Sequence, residues 1–308
     1  MEMVFEKETR RNVDVVEAGF REFKLKHPEE FEKLVQVFEV TTENSYKNLP
    51  VSLTELGERE KDRASRLAPW GYSFDLSPEI STDSIDRGRF DSNISAEGRN
   101  DYLLRMSMLS YTLEKFSIEG SWLDIATNSG IIPLMLSQGK NLSVTGIDIG
   151  DVNIEKAYFL KSLMNDYNSK FHVADAYEYL ESKNTSNYDF ISALGIFYHL
   201  SDPLGLLQLM HEKTKRFVLV DTIIHNFAFS GWIQTISRHV KFAHLGHAND
   251  TRKIVELHPT YRGMIDALYQ VGFDSVVEIL PSDSLLAKFP SPVYGSRNRR
   301  MLLAEKRS

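Results

Sequence analysis

The chain has 308 residues, 42% of them hydrophobic, and a formal net charge of −7 at pH 7. This length and composition allow a sizeable buried core, arranged as one large domain or as a domain with an extension. The acidic balance argues against general affinity for nucleic acid, because phosphate binding depends on Lys and Arg, and the absence of cysteine excludes disulfides, cysteine metal sites and thiol catalysis.

The amino-terminal stretch MEMVFEKETRRN is charged and contains no apolar signal core. A secretion signal is therefore not expected. The longest apolar runs are far shorter than a membrane span, so we expect a cytoplasmic protein with no membrane partner.

Residues 1–110 are predicted to form a mainly helical extension and cap. Apolar residues between positions 15 and 38 recur at roughly helical spacing, and the region of Pro28 is predicted to separate two helices. The segment 68–98 carries Pro, Gly, Ser and Asp with scattered aromatic residues, which indicates a structured loop or a small hairpin. A further helix is predicted from Arg99 to Phe116.

Strand and helix patterns alternate from Ser121 onward. Such alternation is typical of a doubly wound, mostly parallel α/β sheet with helices on both faces. We therefore predict a Rossmann-like core over residues 111–308 with seven strands, one of them an antiparallel edge strand, because the last two strands have no helix between them. The predicted strands are 121–126, 143–149, 170–175, 188–194, 216–224, 274–280 and 299–306, and the predicted helices are 130–138, 152–166, 203–214 and 259–271.

The loop after the first of these strands, in WLDIATNSG, is built from small residues. In open α/β sheets the ligand lies outside the carboxyl ends of the strands, and small side chains let the backbone approach it closely. Asn128 and Gly130 also tolerate left-handed backbone angles. This loop is therefore a candidate cofactor site.

Acidic residues end the next two predicted strands. Asp148 ends the second, where a carboxylate can accept both hydroxyls of a ribose, and Asp175-Ala176 end the third, where an acid can accept the adenine amino group. The motif G-x-G-x-x-G expected for a dinucleotide is absent. These features favour S-adenosylmethionine over a nicotinamide cofactor.

Four segments in this order resemble the motifs of class I S-adenosylmethionine-dependent methyltransferases: WLDIATNSG, VTGIDI, HVADA and YDFISALGIFYHLSDP. The segments DIATNSG, GIFYHLSDP and APWGYSFDL are similar to the branch that contains the transferases of wobble uridine in tRNA and related small-molecule methyltransferases. The resemblance covers about residues 100–306. Ala126 replaces the family's first glycine and Ser129 a common acid, and the alanine fits the turn if its backbone angles are ordinary.

The resemblance implies S-adenosylmethionine as the cofactor. Asp124 and the turn 126–130 would contact its methionine portion, Asp148 its ribose, and Leu194 and Gly195 would lie under the sulfonium. A helix cap or a solvated strand end is the alternative for each acid taken singly. The complete set of implied cofactor-binding residues is Asp124, Ala126, Thr127, Asn128, Gly130, Asp148, Ile149, Asp175, Ala176, Leu194 and Gly195.

Methyl transfer mainly requires alignment of the reacting atoms, and a hydroxyl acceptor also benefits from a base within hydrogen-bond reach. His199, just beyond the fourth strand, is the first candidate for this catalytic base. Its alternative role is to cap the helix that begins near Pro203. Asp221 and His225, at the end of the fifth strand, are the next candidates.

An aromatic insertion at about 225–258 is predicted to form a lid or wall of the acceptor pocket, and its histidines are expected to lie solvated on a plain amphipathic helix rather than to hold a metal. A metal site is not predicted, because no carboxylate has a convincing ligand spacing to His239, His244 and His247. The aromatic segment near Trp70 would cover the pocket or anchor the extension to the core. The candidate acceptor contacts are Trp70, Tyr72, Tyr198, Phe229 and Trp232.

Three functions are compatible with these patterns. The favoured one is methylation of a small molecule, and the expected acceptor atom is an oxygen of a secondary metabolite or a sugar-like compound. The second is modification of wobble uridine in tRNA, which would require a continuous basic surface, and the third is a non-catalytic binding subunit, for which Ala126 is the main support. Arg297, Arg299 and Arg300 would bind an anionic substrate group or form an exposed basic edge, and a homodimer is a further possibility.

Overall fold

The computed structural model describes residues 35–307 except positions 44, 48, 87–91, 184, 228 and 238–253. The strands are β1 (Gln36–Val40), β2 (Asp75–Ser77), β3 (Ile80–Ser81), β4 (Gly120–Ile125), β5 (Leu142–Asp148), β6 (Lys170–Val173), β7 (Tyr188–Leu194), β8 (Thr214–Ile223), β9 (Trp232–Ser237), β10 (Ile254–Pro259), β11 (Ser275–Pro281) and β12 (Arg299–Glu305). The α-helices are α1 (Glu58–Arg66), α2 (Thr82–Asp86), α3 (Ser92–Lys115), α4 (Ile131–Ser137), α5 (Asp151–Leu163), α6 (Ala176–Glu181), α7 (Pro203–Lys213), α8 (Tyr261–Gln270), α9 (Asp283–Lys288) and α10 (Pro292–Gly295), and a short 3₁₀ turn covers Phe197–His199.

One large sheet organises the described chain, in the order β1-β11-β12-β8-β7-β4-β5-β6. All seven predicted strands belong to it, and the predicted mostly parallel α/β class is confirmed. The reversed strand β12 runs antiparallel to β8 and β11 and lies between them. Because β7 and β5 flank β4 on opposite sides, the loops that leave these strands meet at one edge of the sheet.

Strand β1 corrects the helical prediction for its residues. Gln36–Val40 pairs in parallel with β11, and Phe38 packs edge-on against Phe116 at 5.8 Å between ring centres. A short apolar run fits either the helical or the strand period. The unpaired backbone groups along the edge of β11 favour the strand, because they gain hydrogen bonds from it. Residues 15–34 of the same prediction lie outside the described residues.

Two apolar layers hold the helices against the sheet. Helices α3, α4 and α5 pack on one face, and α7 and α8 pack on the other. Helix α3 begins at Ser92 rather than at the predicted Arg99, and it continues past the predicted boundary near residue 110. The boundary therefore falls inside a helix of the core. The segment 68–98 contains the small hairpin β2–β3, in agreement with the prediction.

The described ends of the insertion at 225–258 form an antiparallel hairpin, β9 with β10. The prediction of an amphipathic helix is wrong for these residues, since each pairs with the opposite strand. His239, His244 and His247 lie outside the described residues. Across the described part of the chain, no helix has both the length and the apolar character that crossing a membrane requires.

Candidate active site

A cavity of about 420 Å³ opens at the carboxyl ends of β4 to β7. Its volume lies in the range of sites for small molecules and cofactors, roughly 300–1,000 Å³. The lining residues are Gly71, Tyr72, Arg105, Ala126, Asn128, Ile147, Asp148, Ile149, Asn153, Ala174, Asp175, Ala176, Tyr177, Leu194, Gly195, Ile196, Tyr198, His199, Leu200 and Arg299.

The turn after β4 is held in place by β5. The Thr127 amide donates to the Ile147 carbonyl at 2.9 Å, and the Asn128 amide donates to Asp148 Oδ2 at 2.9 Å. Gly130, with a φ of 69°, opens α4 without lining the cavity. A Cβ on Gly130 would lie 2.8 Å from the Phe171 ring, so the glycine allows the turn to pack tightly.

Ala126 does not have the ordinary backbone angles expected for it. Its φ is 55°, in the left-handed region, and Asn128 has a φ of 53°. An L-residue with a Cβ pays roughly 1–2 kcal/mol for this conformation. The turn therefore keeps a shape that suits glycine, with an alanine in strain at the point where it lines the cavity.

Asp148 joins the two loops at the centre of the cavity wall. Its Oδ1 accepts from the Gly150 amide at 2.9 Å and from Asn153 Nδ2 at 3.0 Å, and its Oδ2 accepts from the Asn128 amide. A carboxylate offers about four lone-pair positions. These three hydrogen bonds fix the carboxylate, and it still lines the cavity beside Ile149.

Asp124 lies behind the turn and does not line the cavity. It is buried, and its Oδ1 accepts from the Ser192 hydroxyl at 2.5 Å, while Ser192 accepts from Trp122 Nε1 at 2.7 Å. Burial raises the pKa of Asp124 to about 6, and the Ser192 hydrogen bond opposes this shift. From this position Asp124 supports the turn and does not itself face a ligand in the cavity.

Asp175 lines the cavity at the end of β6 and also caps α6. Its Oδ1 accepts from the Tyr177 amide at 2.9 Å and the Glu178 amide at 3.2 Å. The cap was the alternative role, and the structure combines it with a place in the cavity wall beside Ala176 and Tyr177. Capping fixes the carboxylate at the mouth of the pocket.

Asp221 is not available as a base, which corrects its assignment. Its side chain is fully buried, and it pairs with Arg299 Nε and accepts from the Tyr294 hydroxyl. Arg105 Nε lies 3.7 Å from Asp221 Oδ2, and Arg105 Nη1 donates to the Tyr72 hydroxyl at 2.9 Å. These partners occupy both carboxylate oxygens, and Asp221 does not line the cavity, so it is not within reach of an acceptor.

His199 lines the cavity, and its Nδ1 lies 3.1 Å from Glu256 Oε1 on β10. The same glutamate reaches His258 Nε2 through Oε2 at 3.3 Å. Burial lowers the pKa of His199 below its ordinary value, Glu256 opposes this shift, and His258 and Arg299 add to it. The alternative role predicted for His199 was to cap the helix that begins at Pro203. Asp202 caps this helix instead, because its side chain accepts from the Gly205 amide.

Several predicted residues lie away from the cavity lining. His225 stacks on His258 at 5.4 Å between ring centres, behind the wall, and Phe229 stacks on Phe227. Trp70 is fully buried and donates to the Ala64 carbonyl, so it anchors the amino-terminal segment and cannot contact an acceptor. Trp232 packs against the core near α8. Among the predicted acceptor contacts, Tyr72 and Tyr198 line the cavity.

Sequence reasoning missed Arg105, Asn153 and Tyr177 in the cavity wall. Arg105 could have been identified from the sequence, because it is a single charged residue within the apolar run LLRMSML of a helix. Arg299 was considered, but the alternative of an exposed basic edge is wrong, because its side chain is only 7% exposed. Within the described residues, no cluster of three or more His, Asp or Glu side chains is arranged to hold a metal ion.

Residues 97–257, just over half of the chain, match the family model described as a methyltransferase domain. The chain belongs to this methyltransferase family. The matched segment runs from α3 through β10 and so carries most of the cavity wall. No curated protein sequence matches this methyltransferase.

Solved structures share the fold of this methyltransferase. The N-terminal domain of EvdMO1 with SAH bound is 17% identical, with a TM-score of 0.58 over 82% of this chain and 98% of that chain. The same domain in the presence of SAH and D-fucose has a TM-score of 0.57 at 16% identity, with the same coverage. Longer EvdMO1 has a TM-score of 0.52 at 15% identity, and 49% of its chain is covered.

Proposed function

We propose that this methyltransferase binds S-adenosylmethionine in the cavity and transfers the methyl group to a small-molecule acceptor. The observation that carries the proposal is the position of Asp148, a fixed carboxylate between the β4 turn and α5, in a cavity of about 420 Å³. The structural relatives EvdMO1 with SAH bound support the choice of cofactor. A carboxylate at the end of the second core strand suits a ribose diol.

The other lining residues fit the remaining parts of this cofactor. Asp175, Ala176 and Tyr177 would hold the adenine, and the backbone of Ala126 and Asn128 would contact the methionine portion. Small residues at this turn let a ligand approach the backbone. Leu194 and Gly195 would lie close to the sulfur, on the side that faces the acceptor.

When bound, S-adenosylmethionine supplies a methyl group on a positively charged sulfur, which is displaced in line by a nucleophile. The protein's task is to align the acceptor and to exclude water, and alignment of this kind is worth roughly 7–11 kcal/mol. Tyr72 and Tyr198 line the acceptor side with aromatic surface. The β9–β10 hairpin packs over the Phe197–His199 turn and would close this side.

We propose His199 as the base for an acceptor hydroxyl. The lowered pKa keeps the imidazole neutral near pH 7, which is the form that accepts a proton. Glu256 at Nδ1 orients the ring and stabilises the imidazolium that forms. This arrangement supports O-methylation, because a hydroxyl nucleophile benefits from a base within hydrogen-bond reach.

A small-molecule acceptor is favoured over tRNA by the placement of the arginines. Arg299 and Arg300 are buried in ion pairs with Asp221 and Glu278, so neither contributes to a basic surface. The net charge of −7 also disfavours tRNA as the acceptor, since tRNA binding depends on a cationic surface.

Calorimetric titration with S-adenosylhomocysteine tests the proposal. We expect one binding site on the wild type and a loss of at least about tenfold in affinity for Asp148→Ala, since a hydrogen bond to a charged group contributes about 1.5–3 kcal/mol. Asp189→Asn is the matched control, because Asp189 lies at the opposite end of the sheet and bonds to Ser121 and Lys215. Its affinity should equal that of the wild type.

Near-ultraviolet circular dichroism would check that Asp148→Ala keeps its tertiary structure. Absence of S-adenosylhomocysteine binding by the wild type would overturn the proposal. So would full affinity in a folded Asp148→Ala protein. Transfer of a labelled methyl group from S-adenosylmethionine to small molecules of a cell extract would then locate the acceptor.

A further inference from the structure

Arg299 presents a buried guanidinium to the cavity. Its side chain is only 7% exposed and lines the cavity, and its Nε pairs with Asp221. Within the described part of the chain, Nη2 of the same group is buried and has no hydrogen-bond partner of normal geometry, and the Tyr198 side chain lies beside the guanidinium. Leaving a buried charged donor unsatisfied is costly, so a native protein normally provides it with a partner.

The two arginines near the cavity have one more positive charge than the carboxylate that they share, and an anion would balance it. Arg105 and Arg299 share one carboxylate, that of Asp221. Asp124 is the other acid close to Arg105, but it lies behind the β4 turn and its Oδ1 is bonded to Ser192. A second carboxylate from a ligand would complete the pairing of the two arginines.

Gly195, which also lines the cavity, leaves space beside Arg299 Nη2. Its φ is 90°, and a Cβ at this position would lie 2.8 Å from Arg299 Nη2 and 3.5 Å from the Tyr198 hydroxyl. The guanidinium carbon of Arg299 lies 5.7 Å from the centre of the Tyr198 ring. The opening is therefore bordered by a cation, a hydroxyl and an aromatic face.

The position of this opening separates it from the proposed adenosine site. Asp148 ends β5 and Asp175 follows β6 on one side of β4, whereas Arg299 begins β12 on the other side, beyond β7 and β8. His199 lines the cavity next to Tyr198 in sequence. An anion at Arg299 would lie on the acceptor side, near the proposed base.

We propose that Arg299 binds a carboxylate of the acceptor, so that the acceptor is a small organic acid. The inference rests on the proposed function for its assignment of the two sides of the cavity. A guanidinium recognises a carboxylate through parallel N–H donors. The carboxylate would take its hydrogen bond from Nη2, and the Tyr198 hydroxyl would donate a second one.

Titration of benzoate and benzamide into wild-type protein saturated with S-adenosylhomocysteine tests the inference. The two probes have nearly the same shape, and only benzoate is an anion. We expect benzoate to bind at least about tenfold more tightly, as a charge-assisted pair requires. Equal affinities, or no measurable binding of benzoate, would overturn the inference without any variant.

Arg299→Lys and Arg299→Met then assign the effect to this guanidinium. We expect a loss of about tenfold or more in benzoate affinity for both, with S-adenosylhomocysteine affinity changed by less than about threefold. Arg300→Met is the matched control, since Arg300 is equally buried, pairs with the single carboxylate of Glu278 and does not line the cavity. Folded Arg300→Met should keep both affinities.

Two results distinguish the possible sources of the carboxylate. If Arg299→Met weakens S-adenosylhomocysteine as much as benzoate, the guanidinium serves the methionine carboxylate of the cofactor and the acceptor inference is wrong. If the wild type does not bind S-adenosylhomocysteine, the proposed function fails. The benzoate and benzamide comparison on the protein alone then decides whether the anion site exists.

Discussion

At the scale of single residues, the cavity depends on left-handed backbone conformations, which Asn128 tolerates and which strain Ala126. Ala126 has a φ of 55° and Asn128 a φ of 53°, and both line the cavity. Strain of this kind persists only where surrounding contacts enforce it. Here the hydrogen bonds from Thr127 and Asn128 to β5 hold the turn against the strain.

Replacing Ala126 by glycine should relieve this strain. We expect Ala126→Gly to raise the free energy of unfolding by about 1 kcal/mol, because the left-handed conformation costs an L-residue roughly 1–2 kcal/mol and glycine returns part of that as chain entropy. Urea unfolding measures the change. Ala267→Gly, within α8, is the control and should lower the same quantity by about 1 kcal/mol. A loss of stability in Ala126→Gly would show that the turn is unstrained.

At the scale of elements, strand β10 connects the insertion to the proposed base. The hairpin β9–β10 brings Glu256 to His199 and places His258 on the other oxygen of the same carboxylate. Strand alternation explains this arrangement, since residues 256 and 258 point to the same face of β10. The insertion therefore supplies the carboxylate that pairs with the proposed base, although none of its described residues lines the cavity.

Removal of the Glu256 charge should shift the titration of His199 in a defined direction. The carboxylate stabilises the imidazolium, so Glu256→Gln should lower the pKa of His199 further below its ordinary value. Titration of ¹³C-labelled histidines by NMR measures this shift. His211, whose pKa is lowered by burial and by Lys306, has no contact with Glu256 and should not change. An unchanged or raised pKa of His199 would contradict the role given to Glu256.

At the scale of the whole molecule, the sheet buries an acid that affects the stability of the complete fold. Asp124 is the next-to-last residue of β4, it is buried, and β4 lies between β5 and β7 in the sheet. Its pKa is raised by burial to about 6 in the folded state, against about 3.9 in an unfolded chain. The folded protein therefore binds the proton more tightly, and this contribution to stability is present at low pH and lost as the pH rises through about 4 to 6.

Asp124→Asn should remove this dependence on pH. Relative to the wild type, we expect the free energy of unfolding of the variant to increase by roughly 2–3 kcal/mol between pH 4 and pH 7. Urea unfolding at several pH values gives the difference. Asp189→Asn is the control, because the pKa of Asp189 is lowered and its contribution changes only at still lower pH. A difference between wild type and Asp124→Asn that stays constant with pH would contradict the expectation.

The α/β class, the seven core strands and the acids at their ends could all be predicted from the sequence. Each of these features is local: strand runs alternate with helical runs, and Asp148 and Asp175 lie at the carboxyl ends of their strands. Parallel strands bring their carboxyl ends to one edge, so strand order along the chain was enough to place Asp148, Asp175 and the β4 turn in one cavity. His199 lies shortly after β7, so the same rule placed it in this cavity.

Features that depend on contacts between distant segments of the chain could not be predicted from the sequence. Asp221 was a reasonable base in sequence, but Arg299, Arg105 and Tyr294 approach it from elements far along the chain and bury it in an ion pair. Residues 36–40 became a strand because β11, more than two hundred residues away, offers an open edge. The sequence records which groups a residue carries, whereas burial and pairing partners arise when segments remote in sequence compete for the same contacts.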